Sequence, residues 1–237
     1  MIRPFYLAWP MIELLEKNQH NFHTVVPFNK ASDKLLLMNL SQANTTLSES
    51  IFEDTEKFST YINTQLKDAG CKYGIGGYNE FRPLYGGSKV FDDQQEPRRL
   101  HLGIDIWGAA GTPVYVPMGG MVHSFAFNDQ EGDYGATIIL KHQLKSSVFH
   151  TLYGHLSLAD LKQWREGQFV SQGQVLAHFG EPAENGNWPP HLHFQIIIDM
   201  ELKKGDYPGV CKQSEKEKYL NNCPNPDLIL QMMQYAK

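Results

Sequence analysis

A chain of 237 residues with 41% hydrophobic and 20% charged residues is long enough to bury a full core and too apolar to stay disordered. Its 21 Lys+Arg against 26 Asp+Glu leave a net charge of -5, and no basic run exceeds two residues, which argues against nucleic acid or an anionic membrane surface as partner. No apolar stretch approaches the roughly 20 residues of a membrane helix, so one domain with a decorated edge is expected.

The segment Met1–Leu15 has one Arg and a short apolar stretch interrupted by Pro10, and no small-residue cleavage site follows. Pro10 reads as the first residue of a helix. Without an export signal the chain is expected in the cytoplasm, or in the cell envelope if another route exports it. Cys71, Cys211 and Cys223 are odd in number and form no C-x-x-C pair. That fits a reducing compartment; a Cys211–Cys223 bridge is the alternative.

Residues 1–70 mix helix and strand and read as scaffold. His23–Phe28 and Lys34–Leu40 are expected strands. Leu47–Ala69 is an expected helix, with Ile51, Phe58, Ile62 and Leu66 at helical spacing, Thr46 and Glu49 as a capping box and Gly70 as the stop. From 71 to 198 glycines multiply and apolar runs shorten. Expected strands are Pro113–Pro117, Met121–Phe127, Ala136–Lys141, Val148–Leu156, Gln174–Phe179 and His191–Ile198, with a short helix at Ser157–Trp164. Residues 199–237 form a polar tail ending in an expected helix, Asp227–Tyr235, that packs on the core. The fold class is therefore mostly β, an antiparallel sheet or small sandwich with helical decorations at both ends, and α+β overall. The glycines at 74, 76 and 77 lack the strand–loop–helix context of a phosphate loop.

Among the 10 histidines, four lie in suggestive strings. His101 and Asp105 stand in HLGID; His191 and His193 stand in HLHF, where i and i+2 share one face of a strand. On a flat strand His101 and Asp105 would lie roughly 13 Å apart, too far for one ion. Gly103 between them permits the bend that closes the gap. Two imidazoles and a carboxylate form the ligand set of an open catalytic zinc site, with about +1 net charge to acidify a bound water and polarise a carbonyl. His155, in YGHL, is a candidate to orient that water or steady an oxyanion. His150 lies five residues earlier and faces the other side of a continuous strand. His20, His23, His123, His142 and His178 have no partner pattern and read as structural.

The order HLGID, YGHL, HLHF, with GTPVYVPMGGMV, YGATIILKH and GQFVSQGQVLAHFGEP between the motifs, resembles the lysostaphin-type zinc metallopeptidases of LytM fold over about Arg98–Ile198. The resemblance implies a LytM-like domain at 71–198 that binds one Zn²⁺ through His101, Asp105 and His193, with His155 and His191 as catalytic histidines. It implies a peptidoglycan peptide or muropeptide as substrate. The alternatives are a cytosolic metallopeptidase or amidase on another small peptide, and a non-catalytic peptidoglycan-binding regulator of a hydrolase. Two departures stand out: the approach to HLHF is Glu184–Pro190 rather than a small Ser-Thr-Gly turn, and Gln195 follows where an acid is common. Trp188 either stacks on substrate or packs. Tyr78, Glu80, Arg82 and Tyr85 either contribute to the groove or pack as an ordinary loop, and Tyr153 of YGHL is placed with Trp188, Tyr78 and Arg82 among the expected substrate contacts.

Overall fold

The computed structural model describes residues 8–82 and 96–237; Tyr85 falls outside them. Among the described residues, twelve strands appear in chain order: β1 (Leu35–Leu37), β2 (Tyr73–Gly76), β3 (Leu100–His101), β4 (Ile104–Trp107), β5 (Pro113–Tyr115), β6 (Gly120–Asn128), β7 (Gly135–Leu144), β8 (Ser147–Leu156), β9 (Phe169–Val170), β10 (Val175–His178), β11 (His191–Ile197) and β12 (Val210–Cys211). Eight of them form one sheet in the order β1-β2-β4-β11-β8-β7-β6-β9. All its pairings are antiparallel except β1 with β2, so the sheet is mixed. The pairs β5–β10 and β3–β12 form small separate ladders. This architecture is a central sheet with flanking ladders rather than a two-sheet sandwich. It agrees with the mostly β class, built on a largely antiparallel sheet, that the sequence implied.

The central strands are buried on both faces, which explains their near-continuous apolar runs. One face of β4 and β11 presents Ile104, Ile106, Leu192, Phe194 and Ile196 to the main core. The other face presents Asp105, Trp107, His191, His193 and Gln195, five polar or aromatic residues in register: His193 pairs with Asp105 and His191 with Trp107. Period-two alternation thus separates core from chemistry within the same two strands.

Three local expectations need correction. Leu47–Ala69 is not one helix but two, α2 (Glu49–Phe52) and α3 (Thr55–Ala69), the second begun by Asp54, whose carboxylate accepts from the amides of Glu56 and Lys57. Thr46 instead donates its hydroxyl to Asn44 at 2.6 Å. Gly70 ends α3 in the left-handed conformation, φ 60°, as its position implied. Residues 23–28 form no strand; they lie beside β5 through two isolated backbone bonds, His23 to Pro117 and Tyr115 to Val25. Asp227–Tyr235 breaks at Gln231, φ 49°, into a short helix and a 3₁₀ turn. Cys71, Cys211 and Cys223 are all free thiols, the last two buried.

Candidate metal centre and its cleft

His101 leaves β3, Gly103 turns the chain, and Asp105 lies on β4 in the main sheet, so the two residues sit on different ladders that face each other. The gap expected for a flat strand is closed: His101 Nε2 lies 3.4 Å from Asp105 Oδ1. His193 Nδ1 lies 3.2 Å from the same oxygen and 2.9 Å from His101 Nε2. Gly103 does this at normal φ, and its other contribution is room. A methyl there would fall 2.4 Å from Cε1 and 2.5 Å from Nε2 of the His193 ring.

The tautomers follow from the partners. Gly77 O can only accept, so His101 Nδ1 donates to it at 2.9 Å and Nε2 keeps its lone pair. Gln195 donates its amide N–H to Pro208 O and toward Cys223 Sγ, which turns Oε1 to His193. His193 Nε2 therefore donates to Gln195 Oε1 at 2.9 Å, and Nδ1 keeps its lone pair. Three lone pairs, two from nitrogen and one from a carboxylate, converge with no proton between them. That arrangement is repulsive unless a cation sits among them, and separations of 2.9–3.4 Å suit the roughly 3.3 Å edge of a tetrahedral zinc shell with 2.0–2.1 Å bonds. His101, Asp105 and His193 are the one such group found among the described residues. All three are buried, and the donor set fits zinc.

The charge balance agrees. Burial lowers the His101 pKa to about 4, with the nearby Arg82 adding to the effect, so the ring stays neutral and able to bind a metal. Burial works to raise the Asp105 pKa, but the Arg82 guanidinium on Oδ2 opposes it, and the carboxyl is held well below its ordinary value.

His155 and His191 stand beside this group. His191 Nε2 is 4.0 Å from Asp105 Oδ1, and its ring stacks on Trp107 at 4.0 Å and 19°. His155 would follow Tyr153 into the core by strand alternation; instead a positive φ of 61° turns it back toward His191, ring centroids 4.1 Å apart. Each ring donates Nδ1–H to a carbonyl at 2.7 Å, His155 to Asn185 and His191 to Pro189, which leaves both Nε2 atoms as acceptors. Burial lowers the His191 pKa to about 4 and that of His155 well below the ordinary histidine value, so both are neutral at pH 7. The cleft that these side chains enter holds about 160 Å³. Trp107, Trp188 and Leu40 line it together with Tyr134, and Arg98, Asp133 and Asp206 bring charge to it.

The expected substrate contacts divide. Trp188 lines the cleft, 6.5 Å from the His155 ring. Tyr153 does not: it is fully buried on the core face against Phe194, as its place one residue from Gly154, the cross-strand neighbour of His193, requires. Tyr78 sits away from the cleft and donates its hydroxyl to Cys223 O at 2.9 Å. Arg82 lines the cleft but is spent on protein: Nη1 donates to Asp105 Oδ2 and Nε to Glu80 Oε2, both at 2.6 Å. Sequence reasoning missed the supporting roles of Gly77, Asn185 and Gln195. Only Gln195 left a signal, being two residues from His193 on one strand face.

The stretch that carries this centre is similar to known proteins. Residues 99–205, just under half of the chain, match the model of Peptidase family M23. A stretch of 101 residues is 32% identical to "DD-carboxypeptidase/endopeptidase Mpg" of Neisseria meningitidis serogroup B, covering 43% of this chain and 21% of that protein. A stretch of 154 residues is 27% identical to "L-Ala--D-Glu endopeptidase" of Bacillus subtilis, covering 63% and 44%. The chain thus spans about a fifth of the length of the first of these relatives and under half of the second. Among solved structures, the catalytic domain of lysostaphin from Staphylococcus simulans aligns over 68% of this chain and 97% of that one at 19% identity, with a TM-score of 0.39.

Proposed function

We propose, from the match of residues 99–205 to Peptidase family M23, that the protein is a zinc-dependent endopeptidase that hydrolyses peptide bonds in peptidoglycan or muropeptide-like substrates. The observation that carries the reading is the convergence of three proton-free donors on His101, Asp105 and His193 beside two neutral histidines in one cleft. The names of the relatives, a DD-carboxypeptidase/endopeptidase and an L-Ala--D-Glu endopeptidase, support the substrate class.

Zinc held by His101, Asp105 and His193 supplies a Lewis acid for the scissile carbonyl and an acidified water. The chain's own residues do the rest. Gly77 O and Gln195 Oε1 fix the two ligand rings with their lone pairs inward. His155 and His191 offer Nε2 acceptors, so either ring takes a proton from the attacking water and later returns it to the leaving amine. With centroids 4.1 Å apart the two rings disfavour double protonation, so one proton is in play at a time. The carbonyls of Asn185 and Pro189 stabilise whichever imidazolium forms, since their hydrogen bonds strengthen as the ring becomes charged. Trp188 and Trp107 give the cleft an apolar wall that excludes water from one side of the bound peptide.

Mass spectrometry of muropeptides incubated with the zinc-loaded protein and with a chelated control tests this reading. The expected result is a product, one water heavier in sum than its parent, that appears only with zinc. Intact muropeptides beside a zinc-dependent cut in another small peptide would move the substrate class. Tight muropeptide binding with no turnover would favour a binding regulator.

A further inference from the structure

The Asp105 carboxylate does two jobs with two oxygens. Oδ1 is the atom that faces the ligand nitrogens of His101 and His193, at 3.4 and 3.2 Å. Oδ2 is taken by Arg82 Nη1 at 2.6 Å, a charge-assisted bond at the short end of its class, between side chains 2% and 1% exposed. Arg82 is in turn fixed: Glu80 Oε2 accepts from its Nε at 2.6 Å, and Glu80 Oε1 accepts the backbone N–H of Leu40 at 3.1 Å. The Arg82 backbone N–H donates to Arg99 O, which ties this segment to the strand that carries His101. Gly77, φ 106°, leaves the necessary room. A methyl group there would overlap Arg82 Nη2 and fall 2.9 Å from His101 Nδ1.

We propose that Arg82 is a positioning residue that holds Asp105 to one ligand atom. A carboxylate free on both oxygens can bind a metal ion through either or both. Binding through both would make four protein donor atoms from this set of three residues and close the position that a catalytic zinc keeps for water and substrate. Arg82 prevents this by occupying Oδ2 with a donor whose charge already satisfies it, and Glu80 keeps the guanidinium from following the carboxylate if it rotates. The Arg82–Glu80 pair is neutral as a unit, so it constrains Asp105 without discharging the net positive charge of the zinc centre. This inference rests on the metal-site reading above and adds to it a residue outside the ligand set, reached from a loop before β3.

Cobalt(II) substitution reads the coordination directly, without any peptidase assay, because four-coordinate cobalt absorbs visible light far more strongly than five- or six-coordinate cobalt. The wild-type protein is expected to take up cobalt with the intense bands of a four-coordinate ion. Arg82→Met is expected to retain stoichiometric cobalt with weaker bands of higher coordination, and to lose about tenfold to a hundredfold in kcat on a cleaved muropeptide with KM little changed. If Arg82→Met does not fold, Glu80→Ala, which releases the guanidinium while leaving Asp105 intact, is expected to show the same spectral change. An unchanged four-coordinate spectrum in whichever variant folds overturns the inference and leaves the metal site standing. Wild-type protein that binds no cobalt overturns the metal-site reading itself.

Discussion

Gly103→Ala puts the geometry of the centre under a small, defined load. The backbone at Gly103 lies outside the left-handed region, so alanine meets no conformational penalty there. Its methyl group, however, lands 2.4 Å from Cε1 and 2.5 Å from Nε2 of His193, with Phe194 O at 2.9 Å on its other side. Ordinary carbon contacts begin at about 3.5 Å, so the imidazole must retreat by about 1 Å. That retreat stretches the 2.9 Å bond from His193 Nε2 to Gln195 Oε1 beyond hydrogen-bond range and swings Nδ1 off the point shared with Asp105 and His101. Overpacking of this kind costs about 1–3 kcal/mol, and the lost hydrogen bond about 1 kcal/mol more. A displacement of about 1 Å at a reacting centre lowers turnover on the order of a hundredfold. The assays are thermal unfolding, zinc affinity by competition with a chromophoric chelator, and muropeptide turnover. Folded Gly103→Ala protein with wild-type zinc affinity and turnover would refute the placement of the His193 ring on which the site is built.

The other outcomes follow from the same distances. His155→Ala removes no metal donor, so zinc content is expected to stay at the wild-type level while turnover drops by about 10²–10⁴-fold; unchanged kinetics would take His155 out of the mechanism. Gln195→Leu strips the acceptor from His193 Nε2 and the donor from Pro208 O in a fully buried position. It is expected to weaken zinc binding by about tenfold to a hundredfold, read by chelator competition, and an unaltered affinity would show that the tautomer needs no such support. Burial lowers the pKa of His142, far from the centre between Gly119 O and Thr151 Oγ1, from 6.5 to about 4. The unfolded chain therefore protonates this ring first, so its neutral burial costs nothing above pH 6.5 and stability is lost as pH falls from there towards 4. The loss amounts to about 3 kcal/mol at one pKa unit per 1.36 kcal/mol. Denaturant midpoints measured across that window should fall for the wild type and fall less steeply for His142→Gln, and parallel curves would assign the acid sensitivity elsewhere.

Much of the central sheet was legible because its signals are local. The apolar runs between 113 and 198 fall within a few residues of β5, β6, β7, β8, β10 and β11, since a buried strand bounded by glycine and proline advertises both ends. The metal group was legible because its three residues sit in two short strings whose spacing survives folding. What failed was decided between competing local options or by distant partners. Thr46 and Asp54 are both sound caps, and the chain begins its long helix with Asp54 because that carboxylate reaches two amides. Residues 23–28 carry the β-branched Thr24, Val25 and Val26 of a strand, but Pro27 offers no N–H to a ladder. Tyr153 was misplaced by its nearness to His155, although alternation alone puts it on the core face. The turn that brings His155 back depends on a positive φ that no residue type announces. The engagement of Arg82 by Asp105, across 23 residues, has no sequence pattern at all.

The central claim is that His101, Asp105 and His193 hold one zinc ion. Native mass spectrometry of the zinc-loaded protein beside its His193→Ala variant tests it most directly. One zinc per chain in the wild type and none in the variant is the result this geometry predicts. Zinc retained by the folded variant at wild-type stoichiometry, or none bound by the wild type, would contradict it.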